Sequence, residues 1–252
     1  MEKVSAVIIT FNEERNIEAC LAGLGFCDQV VVLDSGSTDR TVALARRLGA
    51  EVHHRPWDGY AAQRNAAHAL AAGDWLLVVD ADERVSPELA AEIRDILSGP
   101  PREAVGYLVR RRFYFGGKWI RHGGFHPEWV LRFFRRGRGR CPERAVHETI
   151  VVDGPIGRLA GHLDHYSYRG VGDYLERLRR YADLSAREYL KQGRTTGPGR
   201  MSFHVFFTFF QMYFLRRGFL DGYEGFLLAG LYAMYTFAKY ARLRELSRED
   251  RP

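Results

Sequence analysis

The sequence predicts an α/β fold in which helices flank a mostly parallel sheet, followed by an α-helical C-terminal tail rich in aromatic residues. Short runs of Val, Ile and Leu alternate with helical segments between residues 4 and 97, and this alternation is typical of a parallel sheet covered on both faces. The apolar run at 75–79 ends abruptly in Asp80, Asp82 and Glu83, which indicates a buried strand with acids at its carboxyl end. Two very apolar segments near the C-terminus predict the tail.

Composition and local start and stop signals define the individual elements. Ser37 and Ser86 are suited to cap the helices that follow them, Pro87 is suited to a first helical turn, and Gly49 follows a last turn. We predict strands at 4–10, 29–34, 50–54 and 75–80, and helices at 14–24, 38–48, 60–72, 87–97 and 170–192.

Length, charge and cysteine content restrict the class of protein. The 252 residues suffice for one large core, or for one domain with an appendage. We expect an α/β half at 1–100, a further segment of the same domain at 101–169 and a helical region at 170–252. The net charge of +6 leaves nucleic acid, anionic membranes and phosphorylated substrates as partners. The three cysteines are odd in number and lack metal-type spacing, so we expect a reduced, cytosolic compartment.

Residues 102–140 form a basic segment with interleaved aromatic residues. It contains eleven Lys or Arg residues against only Glu103 and Glu128. One interpretation is a half-buried hairpin whose arginines solvate its outer face. Basic grooves with stacking aromatic residues also bind single-stranded nucleic acid, but nothing resembling an RNP or helix-turn-helix pattern accompanies this segment. We therefore expect no nucleic-acid partner.

The tail contains two short apolar segments, at 203–215 and 225–238. Each is too short to cross a bilayer, which leaves a buried helical hairpin, an oligomer interface or an anchor at a membrane surface. Their aromatic content and marginal cations favour a membrane surface, because each cation near an anionic leaflet contributes about 1 kcal/mol. These cations are Arg200, Arg216, Arg217, Lys239, Arg242 and Arg244.

Polar residues follow three of the predicted strands, and the carboxyl ends of parallel strands meet at one edge of a sheet. Asp80 and Asp82 can share Mg²⁺ or Mn²⁺ if the chain turns between them, since these ions bind carboxylates together with substrate phosphates. The loops 10–13 and 34–39 supply small and hydroxyl residues suited to a base and ribose. Arg64, on the helix before Asp80, can pair with a phosphate. Each of these features taken singly is also explained by helix capping or by a solvated surface.

The chain resembles family 2 glycosyltransferases of the glycosyltransferase A fold. The later stretch, including residues 132–135 and 146–148, resembles the WaaE-like lipopolysaccharide core glycosyltransferases. The residues that carry the family resemblance are Thr10-Phe11-Asn12-Glu13, Asp34-Ser35-Gly36-Ser37-Thr38-Asp39, Arg64-Asn65 and Asp80-Ala81-Asp82-Glu83. Many relatives have paired acids where this chain has Asp34-Ser35, which leaves open the atom that reads the nucleobase.

The resemblance implies an inverting transfer of a hexose from a nucleoside diphosphate sugar, such as UDP-glucose, to the lipopolysaccharide inner core or to another lipid-linked or phosphorylated glycan. It implies a divalent metal, Mg²⁺ or Mn²⁺, held by Asp80 and Asp82, and a peripheral position on the cytoplasmic face of the bacterial inner membrane. A homo-oligomer remains open. The residues expected to bind the donor and its metal are Thr10, Phe11, Asn12, Glu13, Asp34, Ser35, Arg64, Asp80, Ala81 and Asp82.

A carboxylate must accept the proton of the acceptor hydroxyl. We expect Glu148 in this role, because it follows the basic segment and precedes a strand-like run at 150–152; Glu128, Glu143 and His147 are the reserves. A surface salt bridge is the alternative explanation for Glu148.

Other activities are less consistent with these motifs. A degenerate transferase that only binds an anionic glycan or lipid remains an alternative, as does a nucleotidyltransferase, although the latter usually has a Gly-rich basic loop after its first strand. The pairs His122 and His126, or His162 and His165, lack an accompanying cysteine, so zinc is not expected.

Overall fold

The computed structural model describes residues 1–100, 102–142 and 149–249. The chain divides into two compact units. Unit 1 comprises Met1–Arg111 and Glu128–His165, and unit 2 comprises Arg112–Pro127 and Tyr166–Pro252.

The elements are numbered in chain order. The strands are β1 (Val4–Thr10), β2 (Gln29–Asp34), β3 (Glu51–His54), β4 (Trp75–Val78), β5 (Glu83–Val85), β6 (Gly106–Phe115), β7 (Lys118–Trp119), β8 (Glu128–Arg135), β9 (Gly139–Arg140), β10 (Val151–Val152) and β11 (Ile156–Tyr168). The helices are α1 (Ile17–Ala22), α2 (Thr41–Arg47), α3 (Tyr60–Leu70), α4 (Pro87–Ser98), α5 (Val171–Lys191), α6 (Pro198–Phe210) and α7 (Tyr223–Glu249), with a π-helical turn at Gln211–Leu215 and a 3₁₀ turn at Gly218–Asp221 between the last two.

Unit 1 is built on a sheet whose first four strands are parallel. The strand order is β3-β2-β1-β4-β8-β6-β11-β5. The parallel pairs are β3 with β2, β2 with β1, and β1 with β4. Beyond β4 the pairing becomes antiparallel, from β4 to β8, from β8 to β6 and from β11 to β5. The predicted α/β fold with flanking helices is confirmed.

The apolar runs of β1, β2 and β4 are largely buried because helices and aromatic residues cover them, whereas β3 at the edge of the sheet is mostly exposed. All four residues of β4 are buried. Trp75 stacks on Phe133 of β8, with ring centroids 4.6 Å apart, and both side chains are fully buried. Such aromatic pairs add about 0.5–1.5 kcal/mol to the free energy gained by burial alone. The antiparallel addition of β8 therefore anchors the strand that leads to Asp80.

The local signals were correct at some ends and wrong at others. The Ser86 hydroxyl caps α4 by accepting a hydrogen bond from the N–H of Leu89 at 3.2 Å, as predicted. The predicted Ser37 cap is wrong, because α2 begins only at Thr41 and no side chain caps it. The fourth strand ends at Val78 and not at residue 80, since the chain turns directly after it.

Unit 2 consists mainly of α5, α6 and α7, with α7 packed against the other two. Its core is aromatic: Tyr174 is buried against Leu228 and Leu231, and its hydroxyl donates to the carbonyl of Leu231 at 3.2 Å. In the described part of the chain, no helix combines the length and apolar character that a membrane crossing requires.

Candidate active site

The carboxylate of Asp80, directly after β4, is held by two arginines. Its Oδ1 accepts from Arg64 of α3 at 2.6 Å, and its Oδ2 accepts from Arg132 of β8. Burial alone would raise the pKa of the Asp80 carboxyl, but Arg132 and then Arg64 lower this pKa well below its ordinary value. Asp80 is therefore ionised throughout the physiological range, and its charge is compensated within the protein.

A tight turn and a buried ion network fix the position of Asp80. Glu83 is fully buried, and its carboxylate accepts from the N–H of Asp80 at 2.9 Å and from Arg132 at 2.9 Å. Arg111 lies 3.4 Å from the same carboxylate and forms a bidentate pair with Glu128 at 2.6 and 2.9 Å. Breaking a buried pair such as Arg132–Glu83 costs several kcal/mol, about 3–5, because it leaves an uncompensated charge.

This network corrects one expectation about the basic segment. The hairpin of β6 and β8 is present, but Arg132 does not solvate an outer face. It is only 5% exposed, and Asp80 and Glu83 raise the pKa of its guanidinium above the ordinary value although burial opposes this. Arg64 is likewise no solvated surface residue, since its side chain is 14% exposed.

The second carboxylate of the motif has a different partner. Asp82 Oδ2 lies 3.4 Å from Nε2 of His165 on β11. Burial lowers the pKa of the His165 imidazole, whereas the hydrogen bond to Asp82 and its charge raise it, and the net shift is upward. Ala81, between the two acids, is buried. The turn thus places Asp82 beside the imidazole of His165, while Asp80 is paired with Arg64 and Arg132.

The loop after β2 is organised by Asp34 itself. Asp34 is 3% exposed, and its carboxylate accepts from the N–H groups of Gly36 and Ser37 at 2.8 and 2.9 Å and from the Ser37 hydroxyl at 2.5 Å. Gly36 has a φ of +100°, a conformation that favours glycine. Asp34 therefore shapes its own turn, and the adjacent Ser35 hydroxyl accepts from Gln63 of α3 at 3.0 Å.

The loop after β1 is clamped to the loop after β2. Asn12 donates its N–H to the Ser37 hydroxyl at 2.8 Å, and its side-chain oxygen accepts from the N–H of Thr38 at 2.8 Å. The N–H of Glu13 donates to Thr41 at 2.7 Å. These contacts bring the two predicted loops together at one edge.

The two residues before Asn12 differ in exposure. Phe11 leaves 54% of its surface exposed. Thr10 is buried, and its hydroxyl has no hydrogen-bond partner among the residues that the structure describes.

The expected base Glu148 lies outside the described residues, as do Glu143 and His147. The described chain on the N-terminal side is anchored to α3: the Asn65 side chain donates to the carbonyl of Cys141 at 2.8 Å and accepts from its N–H at 2.9 Å. On the C-terminal side, Ile150 packs against the apolar cluster that contains Val78.

Arg132 and His165 are the site residues that sequence reasoning missed. Arg132 interrupts an aromatic and apolar strand, and His165 continues the inward-facing alternation of Leu159 and Leu163 on β11. A polar residue on a buried strand face was the available signal, but its partner depends on strand pairing. The histidines of the pair His162 and His165, considered for zinc, have separate carboxylate partners: His162 lies 3.5 Å from Asp164, and His165 lies 3.4 Å from Asp82. Among the described residues, no group of three or more His, Cys, Asp or Glu side chains could hold a metal.

Comparison with known proteins finds one family and similar relatives. Residues 5–152 match the model of glycosyl transferase family 2. An uncharacterized glycosyltransferase of Rickettsia typhi is 30% identical over 100% of this chain and 90% of its own length. The lipopolysaccharide core biosynthesis glycosyltransferase LpsC of Rhizobium meliloti is 32% identical, over 95% of this chain and 91% of its own length.

Among solved structures, S. aureus TarS 1-349 in complex with UDP-GlcNAc is similar across nearly the whole chain. The similarity covers 98% of this chain and 92% of that chain, with a TM-score of 0.50 and 17% sequence identity. At this identity the similarity concerns the fold, which is the glycosyltransferase A fold.

Proposed function

Because this chain belongs to glycosyltransferase family 2, we propose that it transfers a hexose, with inversion, from a UDP-glucose-like donor to the lipopolysaccharide inner core or to another lipid-linked glycan. The observation that carries the proposal is the charge arrangement after β4, where Asp82 meets His165 while Asp80 is held by Arg64 and Arg132. Open α/β sheets bind nucleotides outside the carboxyl ends of their strands. The relative named for lipopolysaccharide core biosynthesis supports the acceptor class.

The donor nucleotide would occupy the edge formed by the loops after β1 and β2. We assign the exposed ring of Phe11 to stacking on the base and Ser35 to hydrogen bonding with the base or ribose. Asp34 is occupied by its own turn, so we assign it to shaping the loop and not to direct base recognition. Arg64 would face the diphosphate, to which its guanidinium offers donors beyond the one used by Asp80.

A divalent metal fits the residues at this edge. Asp82 and His165 supply a carboxylate oxygen and an imidazole nitrogen within 3.4 Å of each other, and both are ordinary ligands of divalent metals. When bound, Mn²⁺ or Mg²⁺ would neutralise the charge that develops on the departing diphosphate. The carboxylate of Asp80 is already engaged by two arginines, so we propose that it orients the site and contacts the metal only through water or the ribose.

We propose Glu148 as the base that accepts the proton of the acceptor hydroxyl. The described chain before it is tied to α3 through Asn65, the residue after Arg64. Glu128, one reserve, has both carboxylate oxygens on the guanidinium of Arg111, which disfavours it as a base. A positioned base of this kind contributes about 10²- to 10⁴-fold in rate.

A nucleotide sugar is cytosolic and a lipid-linked acceptor is membrane-bound. We therefore propose that the enzyme acts at the cytoplasmic face of the bacterial inner membrane as a peripheral protein.

Hydrolysis of nucleotide sugars tests the donor site without requiring the acceptor. The purified chain should slowly hydrolyse one of a panel of UDP- and GDP-sugars, and only with Mn²⁺ or Mg²⁺. Asp82→Asn and His165→Asn should each reduce this hydrolysis at least about tenfold, in the range expected for lost metal-ligand support. The control Asp164→Asn removes the carboxylate of the residue next to His165 in sequence, and it should leave hydrolysis unchanged. UDP binding without hydrolysis or transfer would favour a non-catalytic binding module, and hydrolysis undiminished by EDTA would refute the metal assignment.

A further inference from the structure

Helix α6 of unit 2 leaves a row of aromatic side chains exposed. None of its residues is buried, and the exposed fraction reaches 68% at Phe206. The first four members of the row have the spacing i, i+3, i+4 and i+7, so they lie along one face of α6. Phe214 continues the row into the π-helical turn, where its ring lies 5.4 Å from that of Phe210. The row, here called the aromatic stripe, consists of Phe203, Phe206, Phe207, Phe210 and Phe214.

The opposite face of α6 already has its partner within the same unit. Thr208 lies 3.3 Å from Thr236 of α7 through their hydroxyl groups, and His204 stacks on Tyr240 with ring centroids 4.9 Å apart. The helix is therefore fixed on α7 by its polar and mixed face, and the aromatic stripe faces away from this contact. A buried hairpin, one of the three expectations for the tail, does not account for the exposed stripe.

The 3₁₀ turn at Gly218–Asp221 adds further exposed apolar side chains, and hydrogen bonds fix its position. Phe219 and Leu220 are 45% and 56% exposed. The carboxylate of Asp221, only 5% exposed, accepts from the N–H groups of Arg121 and His122 at 3.2 and 2.7 Å. These hydrogen bonds hold the turn that carries the two exposed apolar side chains. Phe219 and Leu220 thus add two exposed apolar side chains to the five of the stripe, and clustered exposed apolar side chains of this kind mark interaction sites.

Among the residues that the structure describes, the unpaired charges of the segment that carries this surface are cationic. The cations Arg200, Arg216 and Arg217 are exposed. Between residues 196 and 244 the acids are Asp221 and Glu224; the first is buried in the turn, and the second pairs with Lys118 at 2.7 Å. The surface is therefore aromatic in its centre and cationic at its margins.

We propose that the aromatic stripe and the adjoining turn dock onto an anionic lipid bilayer. Aromatic rings would enter the boundary between headgroups and acyl chains while the arginines pair with lipid phosphates, as in interfacial helices. Charge disfavours a second copy of the chain. A two-fold symmetric interface places the same patch on both subunits, so it would bring the arginines of both copies together, while the acids of this segment, Asp221 and Glu224, are already engaged. The proposal stands independently of the transfer reaction, and it supplies a way to reach a lipid-linked acceptor.

Co-sedimentation of the full chain with lipid vesicles tests the proposal. The wild-type protein should bind vesicles of phosphatidylcholine containing phosphatidylglycerol, and bind them at least tenfold more strongly than vesicles of phosphatidylcholine alone, because anionic headgroups attract cations near the membrane surface. Raised salt should weaken the binding, since surface charges are screened within about 8 Å at physiological ionic strength.

Matched variants separate the stripe from general effects. Phe206→Ser combined with Phe210→Ser, and Arg216→Glu combined with Arg217→Glu, should each reduce vesicle binding at least tenfold. Leu184→Ser, at a residue of α5 that is 50% exposed, and Arg179→Glu combined with Arg180→Glu, also on exposed residues of α5, should leave it within about twofold, because surface substitutions outside a binding patch have small effects. In Phe206→Trp, anionic vesicles should shift the tryptophan emission to the blue relative to the same measurement on the wild type.

Three outcomes would overturn the proposal: no vesicle binding at low salt, equal loss in the α5 controls, or a dimer in light scattering that the double serine variant converts to a monomer without any lipid dependence. Nucleotide-sugar hydrolysis measured on the same variants keeps the two proposals apart. A variant that loses vesicle binding but keeps hydrolysis is altered in the stripe and not in the donor site. If the protein binds vesicles but hydrolyses no donor, the donor-site assignment is wrong and the docking proposal is unaffected.

Discussion

Two acids separated by one residue have different electrostatic surroundings in this protein. Asp80 is neutralised by Arg64 and Arg132, whereas Asp82 meets the imidazole of His165. In the proposed site, Asp80 would therefore orient its surroundings, and Asp82 would offer its charge to the metal. The distinction sets different expectations for substitutions at the two positions.

The first prediction concerns the proposed base. Glu148→Gln should leave UDP binding unchanged and lower glycosyl transfer at least about a hundredfold, because the substitution keeps the shape and removes the basicity. The measurement is UDP affinity by calorimetry beside transfer to lipopolysaccharide core acceptors. Glu128→Gln is the matched control, and its main effect should be on stability through Arg111. A near-normal rate in Glu148→Gln together with loss of transfer in Glu128→Gln would place the base elsewhere.

The second prediction concerns His68 of α3. Burial, aided by the charge of Arg64, lowers the pKa of its imidazole to about 4, and neither ring nitrogen has a hydrogen-bond partner among the described residues. The unfolded chain binds this proton below about pH 6.5, so His68 should lower the free energy of unfolding as the pH falls from about 6.5 to about 4, at up to about 1.4 kcal/mol per pH unit. Below about 4 this contribution becomes constant.

Replacement by leucine isolates the effect of His68. His68→Leu has no titrating group and keeps an apolar side chain against Phe134, whose ring lies 5.4 Å from the imidazole. Urea unfolding of both proteins between pH 4 and 7, an interval set by the two pKa values, should show a difference that grows toward acid. A constant difference across this interval would contradict the assigned burial of the imidazole.

At the scale of elements, α3 links several parts of the candidate site. Arg64 reaches Asp80 after β4, Gln63 reaches Ser35 after β2, and Asn65 holds the backbone of Cys141. One helix thereby sets the positions of segments that are far apart in sequence. A change at Asn65, which is not among the residues assigned to the donor, should therefore affect the site without removing a group that contacts the donor.

The third prediction tests this role of α3. Asn65→Ala removes two hydrogen bonds to Cys141 and should lower the free energy of unfolding by about 1–3 kcal/mol. It should also lower transfer more than nucleotide-sugar hydrolysis, because the described chain that leads to Glu148 loses its anchor. Asn65→Asp keeps the acceptor for the Cys141 N–H but not the donor, so its effect on both measurements should be intermediate. Equal losses of hydrolysis and transfer in Asn65→Ala would indicate general destabilisation.

At the scale of the whole molecule, the nucleotide site and the aromatic stripe belong to different compact units. Unit 1 contains the residues assigned to the donor, and unit 2 contains α6 with its exposed phenylalanines. Substitutions of the exposed phenylalanines should therefore leave nucleotide-sugar hydrolysis unchanged. Substitutions of the residues assigned to the donor should leave vesicle binding unchanged.

The fourth prediction follows from ligand binding to the folded chain. UDP with Mn²⁺ or Mg²⁺ should stabilise the protein by about 2.7 kcal/mol at a hundredfold excess over Kd. UDP alone should have little effect, because without a metal the carboxylate of Asp82 repels the diphosphate. Thermal unfolding with each ligand alone and in combination measures this. Asp82→Asn should remove the metal dependence, while Phe206→Ser with Phe210→Ser should preserve it. Full stabilisation by UDP in the presence of EDTA would contradict the proposed donor site.

The sequence alone determined the alternating strands and helices of unit 1, the strands Val4–Thr10 and Gln29–Asp34 to the residue, and the loops that meet at the sheet edge. These features could be read because periodicity, caps and turn residues act between neighbours in the chain. The same local signals failed where a nearby side chain competed: Ser37 binds Asp34 instead of capping α2, and the turn closed by Glu83 ends β4 early.

Only the tertiary structure decided which charges meet. Arg132 lies 52 residues after Asp80, and His165 reaches the turn because β11 pairs with β5, placing His165 opposite Glu83. No local pattern specifies such partners, since they depend on the order in which antiparallel strands join the sheet. The exposure of the aromatic stripe was decided in the same way: the apolar content of 203–215 was evident in the sequence, but which face α7 covers depends on helix packing, and that packing leaves the phenylalanines outside.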